Sequence, residues 1–275
     1  MKPFSMEKPL IGMVHLPPTP LSPRNNGEFD VNMIIDRAVE DARILVENGV
    51  DGIMVENYGD APFIPETIPT HTIACMALVV REVVKDIQVP VGVNILRNAC
   101  EQAIGVAAMT GASFIRCNVH TGVMITNEGM LTGKSHDTVR YRDLLKNETG
   151  NDISIYADVM VKHAQSLVSM VQFEDIAIDT IDRGAVEAII VSGKRTGLPL
   201  AESMVQRVES FKVQRPRTKV IIGSGVTPGN VVKLKRHFDG FIVGTHFYES
   251  NGKQNKKRII PERVRELKNA LRQEG

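Results

Sequence analysis

Residues 219–230 read KVIIGSGVTPGN, a β-branched run followed by a Gly-Ser-Gly turn and a helix start. The apolar run predicts a buried strand, and Thr227 and Pro228 are typical of a helix N-cap and first helical turn. Residues 240–247, GFIVGTHF, again form an apolar run that ends at a glycine. Two successive strand–turn–helix units indicate an α/β fold with a parallel sheet.

The same unit recurs towards the N-terminus, so that eight strands, each followed by a helix, are predicted. The apolar runs are nearly continuous, as expected of parallel strands that are buried on both faces. The predicted strands cover residues 10–16, 52–58, 89–96, 114–119, 153–161, 188–193, 219–226 and 240–247. The predicted helices cover residues 31–48, 70–87, 100–109, 138–146, 173–183, 200–211, 228–237 and 261–272.

Eight such units in a chain of 275 residues predict one (β/α)8 TIM barrel that occupies residues 1–275 as a single domain. A doubly wound open sheet is the alternative with the same order of elements. One long interruption, residues 121–152, follows strand four. Its length favours a lid over the barrel mouth, or equally a surface excursion that packs on the barrel or on a partner subunit.

The composition argues against several classes of partner. Lys and Arg total 33 against 32 for Asp and Glu, and there is no Trp, so neither charge nor base-stacking surface favours nucleic acid. No apolar run is long enough for a signal peptide or a membrane span. The three cysteines, Cys75, Cys100 and Cys117, have no metal-finger spacing, and we interpret them as reduced thiols of a cytoplasmic protein. Barrels of this kind often associate, and a homo-oligomer is expected.

The turns after strands seven and eight are the strongest functional signal. In a TIM barrel, function lies at the C-terminal ends of the strands, and paired glycine turns there commonly bind phosphate. The predicted phosphate contacts are Gly193, Gly223, Ser224, Gly225, Gly244 and Thr245. The alternative is that these glycines only permit tight turns.

Polar side chains at the other strand ends supply the candidate chemistry. Asp158 and Glu56 are the predicted acid/base residues, and Lys162 is an electrostatic anchor or a Schiff-base nucleophile. A salt bridge between Asp158 and Arg116 is the alternative to catalysis. The predicted substrate contacts are His15, Asn57, Asn94, Arg116, Asn118, Lys134 and Ser192. No cofactor is predicted, and the histidine spacing shows no metal motif.

The motifs taken together resemble the BtpA/SgcQ family over nearly the whole chain. They are IGMVHLPPTPLSP, GVDGIMVENYGDAPF, FIRCNVHTG, DVMVKHA and VIIGSGVTPGNV. The resemblance implies a phosphate-binding barrel, with one branch associated with photosystem I biogenesis and another described as a nucleosidase or sugar-metabolism enzyme. The proline-rich first loop departs from the Leu-Pro-Gly turn that is common in the family.

Two functions follow as hypotheses. The first is an enzyme that acts on a phosphorylated sugar or nucleotide, by N-glycosidic cleavage as in a nucleosidase or by isomerase or lyase chemistry. The second is a non-enzymatic assembly or biogenesis factor that uses the same scaffold, since fold does not determine function. A metal-dependent lyase or hydrolase is a third, weaker hypothesis.

Overall fold

The computed structural model of the chain describes residues 1–65, 67–160, 164–166, 172–193, 197–250 and 257–273. In chain order the strands are β1 (Leu10–His15), β2 (Gly52–Glu56), β3 (Val91–Asn94), β4 (Phe114–Cys117), β5 (Val123–Thr126), β6 (Gly129–Thr132), β7 (Ser154–Asp158), β8 (Ala164–Ser166), β9 (Ala188–Val191), β10 (Val220–Ile222) and β11 (Gly240–Val243). The helices are α1 (Val31–Glu47), α2 (Thr70–Asp86), α3 (Cys100–Thr110), α4 (Ser135–Thr149), α5 (Phe173–Asp182), α6 (Glu202–Gln214), α7 (Pro228–Leu234) and α8 (Pro261–Arg272).

Eight of the strands form a closed parallel barrel in the order β1-β11-β10-β9-β7-β4-β3-β2. Strand β1 pairs with β11 on one side and with β2 on the other, which closes the sheet. The prediction of a TIM barrel is therefore confirmed, and the open-sheet alternative is wrong. The helices lie between successive barrel strands, as the alternating pattern predicts.

Local sequence explains where several helices begin and end. The Asp30 side chain caps α1 by accepting a hydrogen bond from the Met33 amide at 2.9 Å. Gly111 and Gly150 end α3 and α4 in the left-handed conformation, which glycine adopts without steric cost. Helix α7 is shorter than predicted and ends at Leu234, because the chain turns there towards β11.

The core has two layers that follow the alternation of side chains along each strand. Inside the barrel lie Met13 of β1, Phe114 of β4 and Tyr156 of β7, with neighbours from the other strands. The residues between them, such as Val14, pack outwards against the helices in a second, larger cluster. The interior is thus filled with side chains, and the mouth of the barrel begins above them.

The segment that follows β4 contains regular secondary structure. Strands β5 and β6 form an antiparallel hairpin, and β8 adds to β5 as a third strand. Met124 and Leu131 face each other across this hairpin and pack with Val119. The long interruption predicted over residues 121–152 therefore contains a hairpin, whose short alternating strands sequence reasoning missed.

The cysteines differ from the prediction. Cys100, the first residue of α3, forms a disulfide with Cys117, the last residue of β4, and their Cα atoms lie 5.4 Å apart. The prediction of three reduced thiols is wrong for this pair, because the fold brings the start of α3 to the end of the neighbouring strand. Cys75 is a free, buried thiol, and burial raises its pKa to about 11.

None of the helices in the described parts of the chain has both the length and the apolar character that a membrane span requires. The homo-oligomer and the cytoplasmic location stay predictions.

Candidate functional site

The candidate site is the layer directly above the barrel interior. Side chains that fill the interior lie two residues before the polar ones on the same face of each strand, because strand periodicity is two. Met13 is thus followed by His15, Phe114 by Arg116, and Tyr156 by Asp158. The polar strand-end residues consequently converge on one level at the C-terminal mouth.

A cavity of about 580 Å³ opens at this mouth. Among the described residues, its positive charges come from four arginines: Arg24, Arg97, Arg116 and Arg263. Glu56 is the one carboxylate among the described residues that line it. A ligand with negative charge is therefore favoured over a cationic one.

His15, Glu56 and Asn94 form a row across β1, β2 and β3. They occupy paired positions in the barrel sheet. The Asn94 amide donates to Oε1 of Glu56 at 2.5 Å, and Nε2 of His15 lies 3.6 Å from Oε2 of the same carboxylate. Asn94 does not reach the cavity surface, so it orients Glu56 from behind. Glu56 and His15 are left as the pair that faces a ligand.

Two tyrosines hold the His15 ring. The ring stacks on Tyr58 at a centroid distance of 4.4 Å and on Tyr248 at 5.2 Å. The backbone N–H of His15 also donates to the Tyr248 hydroxyl at 3.0 Å. Gly244 makes room for this ring, since a Cβ there would lie 2.7 Å from Cε1 of His15. The imidazole is thus fixed in orientation.

Asp158 is bound on every side by donors. Arg116 donates to both of its carboxylate oxygens, at 2.9 and 2.8 Å, and the Asn118 amide adds a third bond at 3.0 Å. Burial by itself lowers the pKa of Arg116, but the charge and hydrogen bonds of Asp158 outweigh it and raise that pKa. Arg116 and Asn118 reach the cavity, whereas Asp158 lies behind them. This is the salt bridge that was the alternative to catalysis.

The turns after β10 and β11 present backbone donors to the cavity. Within the described residues, the N–H groups of Ser224, Gly225 and Thr245 donate to no acceptor, and all three residues line the cavity. Gly225 has a φ of +72°, and a Cβ there would lie 2.3 Å from the carbonyl oxygen of Leu198. The backbone at this turn therefore needs glycine and leaves its donors exposed to a ligand.

Other predicted contacts have structural roles. The Asn57 amide bonds both the N–H and the carbonyl of Leu96, at 2.7 and 3.1 Å, so we reassign it from ligand contact to a brace between β2 and β3. Lys134 is exposed at the start of α4 and away from the cavity. The Gly193 amide donates to the Ser224 hydroxyl at 3.0 Å, and Ser192 lies beside it behind the cavity surface. Lys162 lies outside the described residues.

Sequence reasoning missed several cavity residues. Arg97 lies three residues after the end of β3, so its place near a strand end was a signal that could have identified it. Arg24 lies in the proline-rich loop after β1, and Arg263 lies in α8, where no local pattern marks them. Tyr58 was placed in the second strand by its apolar neighbours and is instead in a short 3-10 helix.

Within the described residues, no group of three or more His, Cys, Asp or Glu side chains is arranged to hold a metal ion. His120, near the mouth, is buried and bonds the carbonyl oxygen of Gly184 at 2.8 Å. Burial lowers its pKa, which favours the neutral ring.

Comparison with known protein families gives one match over most of the chain. The BtpA family model matches residues 6–273. A protein of Pyrococcus furiosus described as uncharacterized is 42% identical over 252 residues, which cover 90% of this chain and 89% of that one. The photosystem I biogenesis protein BtpA of Synechocystis is 39% identical over 242 residues, which cover 88% and 81%.

Comparison with solved structures finds TIM-barrel enzymes. N-(5'-phosphoribosyl)anthranilate isomerase from Pyrococcus furiosus has a TM-score of 0.54 and 12% identity, covering 96% of this chain and 98% of that one. The 3-keto-L-gulonate-6-phosphate decarboxylase from Vibrio cholerae has a TM-score of 0.54 and 10% identity, covering 97% and 98%. At these identities the likeness concerns the fold alone.

Proposed function

The chain belongs to the BtpA family, and from its site we propose that it is an enzyme that acts on a phosphorylated sugar or nucleotide at the barrel mouth. The phosphate binds to the turns after β10 and β11. Proton transfer at the sugar then cleaves an N-glycosidic bond, as in a nucleosidase, or carries out an isomerisation or lyase step. Enzymes with this fold whose names specify phosphorylated substrates, an isomerase and a decarboxylase, support this class of reaction.

The main support for the proposal is the set of backbone N–H groups at the glycine turns that donate to no acceptor within the described residues. Ser224, Gly225 and Thr245 offer backbone N–H groups to one cavity, and arginines supply its positive charge. Backbone donors in a partly enclosed site bind a phosphate without the entropy loss of ordering long side chains. The anionic part of the substrate is therefore assigned to this end of the cavity.

Glu56 is the residue that we assign to proton transfer. Its carboxylate lines the cavity, is held by Asn94 through one oxygen, and faces His15 through the other. A side chain that is fixed in this way can take a proton from a sugar carbon or return one to a leaving group. His15 is positioned to share the proton, because its ring is clamped between two tyrosines.

Asp158 takes a different role from the one predicted. Its carboxylate already accepts three hydrogen bonds and lies behind the cavity surface, so we assign it to positioning Arg116. Arg116 then stabilises negative charge that develops on the substrate. Lys162 stays a prediction as a second cation for this purpose.

Turnover with a panel of sugar phosphates and nucleotides tests the proposal. We expect one class to be converted, and Glu56→Gln to lower kcat by about 10²–10⁴-fold, the usual worth of a general base. Glu202→Gln is the matched control, because Glu202 is exposed and pairs with Lys233 far from the cavity. Full activity in Glu56→Gln would refute the assigned role, and no turnover of any class would count against an enzyme.

A biogenesis factor is the second candidate, and the name of the Synechocystis relative favours it. In that case the scaffold binds a protein partner, and binding survives the loss of the mouth carboxylate. A pull-down from the native host with wild type and Glu56→Gln separates the two. A partner retained equally by both proteins, together with no turnover, would favour assembly over catalysis.

A further inference from the structure

The cavity has a second positively charged side, which lies opposite the glycine turns. In the closed order of eight strands, β3 and β10 are four positions apart and therefore face each other across the mouth. Arg97 follows β3 and lines the cavity, whereas Gly225 follows β10. A ligand that reaches from the turn at Gly225 to Arg97 spans the whole opening.

The charge of Arg97 is balanced in this structure by an acidic residue of the hairpin. Nε of Arg97 lies 3.7 Å from Oε2 of Glu128, and the two side chains are only 8% and 5% exposed. Glu128 lies in the two-residue turn between β5 and β6. The hairpin thus places a carboxylate beside Arg97.

This ion pair is much looser than its neighbour at the same mouth. Arg116 and Asp158 form two hydrogen bonds shorter than 3 Å, with a third donor from Asn118. By contrast, Oε2 of Glu128 accepts no hydrogen bond within the described residues, although it is buried. Burying a carboxylate oxygen without a donor costs free energy, and a closely placed anion on the arginine would interact more strongly.

The turn and the base of the hairpin are held by different contacts. Its inner face, Met124 and Leu131, packs with Val119 on the barrel. The Asn98 side chain further ties the base by donating to the carbonyl of Thr132 at 3.3 Å. Glu128 itself is held by local contacts: its N–H donates to the Thr126 hydroxyl, and its Oε1 accepts from the adjacent Asn127. Moving the turn therefore leaves the packed base in place.

We propose that Arg97 is a second anion subsite, and that Glu128 is its internal counter-ion until substrate binds. The substrate of the proposed enzyme then carries a second anionic group, a phosphate or a carboxylate, at the end opposite its first phosphate. Its arrival replaces Glu128 at Arg97, and the β5–β6 turn moves away with the released carboxylate. This inference rests on the proposed function, because the first phosphate is the one at the glycine turns.

Calorimetric titration with inorganic phosphate tests the subsite without knowledge of the reaction. Wild type is expected to bind one phosphate per chain, and Glu128→Gln to bind two. Asp137→Asn is the matched control: it removes an exposed carboxylate of α4, and one phosphate per chain is expected. Equal stoichiometry in wild type and Glu128→Gln would overturn the inference. Stoichiometries of zero for wild type and one for Glu128→Gln would instead support Arg97 and refute phosphate binding at the glycine turns.

A ligand series identifies the second group. We expect ribulose 1,5-bisphosphate or 6-phosphogluconate to bind wild type at least about tenfold more tightly than ribose 5-phosphate. Close charge pairs at an interface often contribute this much affinity. Arg97→Gln should abolish this preference, because the larger loss of affinity falls on the doubly charged ligand. Which ligand shows the preference distinguishes a phosphate from a carboxylate. No preference for either in wild type, or its persistence in Arg97→Gln, would overturn the subsite.

Discussion

At the scale of single residues, the mouth contains two kinds of carboxylate. Glu56 faces the cavity with one oxygen held by Asn94, whereas Asp158 accepts three hydrogen bonds behind Arg116. A carboxylate is thus proposed for proton transfer in one place and for positioning in the other. The number of donors around each carboxylate, rather than its place at a strand end, separates the two roles.

Asp158→Asn is expected to destabilise the fold strongly. It leaves the buried guanidinium of Arg116 without its charge partner, and breaking a buried pair in this way costs about 3–5 kcal/mol. Urea unfolding of Asp158→Asn, Arg116→Met and the double variant Arg116→Met/Asp158→Asn measures the coupling. The double variant should lose less stability than the two single changes combined. Additive losses would mean that the pair contributes no coupling.

Asp41 is a buried acid beneath the His15 clamp, and it gives stability a pH dependence. Burial raises its pKa from 3.8 to about 6, against the opposing charges of Arg37 and Arg258, with Glu40 and the Tyr248 hydroxyl as its other polar neighbours. Because the pKa is raised on folding, its favourable contribution is complete below about pH 3.8 and is lost as the pH rises through about 6.

Asp41→Asn should remove this dependence, since the amide stays neutral. Relative to wild type, the variant is expected to gain on the order of 3 kcal/mol in the free energy of unfolding between acid and neutral pH. Urea unfolding of both proteins across that range measures the difference. A difference that is constant with pH would show that Asp41 titrates normally in the folded state.

At the scale of elements, the proposed phosphate site depends on the conformation of the turn after β10. Gly225 is left-handed, and its position packs on the backbone of the turn after β9. Helix α7 then begins, and the Thr227 N–H is used by Oδ1 of Asn230 at 2.9 Å. The donors that remain for a ligand are therefore those of the glycine turn itself.

Gly225→Ala is expected to lower phosphate affinity more than about tenfold and to destabilise the fold by about 1–3 kcal/mol, because the added Cβ meets a carbonyl oxygen at a strained φ. Gly229→Ala is the control four residues along. Its Cβ would come no closer than 3.8 Å to Thr227, so stability should stay unchanged or rise by about 0.5–1 kcal/mol. Phosphate titration and thermal unfolding measure both effects. Equal affinity in the two variants would separate the turn from phosphate binding.

At the scale of the whole molecule, sequence periodicity predicted the barrel strands and helices. Eight apolar runs that each precede an amphipathic stretch leave few arrangements other than a closed barrel. Periodicity also grouped Arg116 with Asn118, but it could not say which face of the strand is inward. That choice depends on which side chains fill the barrel interior. Phe114 and Tyr156 fill it, so Arg116 and Asn118, which share a strand face with Phe114, also point inward.

Only the site residues at the ends of the barrel strands could be predicted from the sequence. The contact of Tyr248 with His15 joins residues 233 positions apart. Arg97 pairs with Glu128 of a hairpin that no strong sequence pattern predicts. Such pairings are set by how the barrel closes and by where the hairpin packs. Local sequence contains neither piece of information. The disulfide between Cys100 and Cys117 was missed for the same reason.

The proposed function depends on phosphate binding at the turns after β10 and β11. A crystal structure of the full chain with ribose 5-phosphate tests it most directly. We expect phosphate density within hydrogen-bond distance of the N–H groups of Ser224, Gly225 and Thr245, with the sugar directed towards Glu56. Density for the phosphate at any other place, with these three donors facing only water, would contradict it.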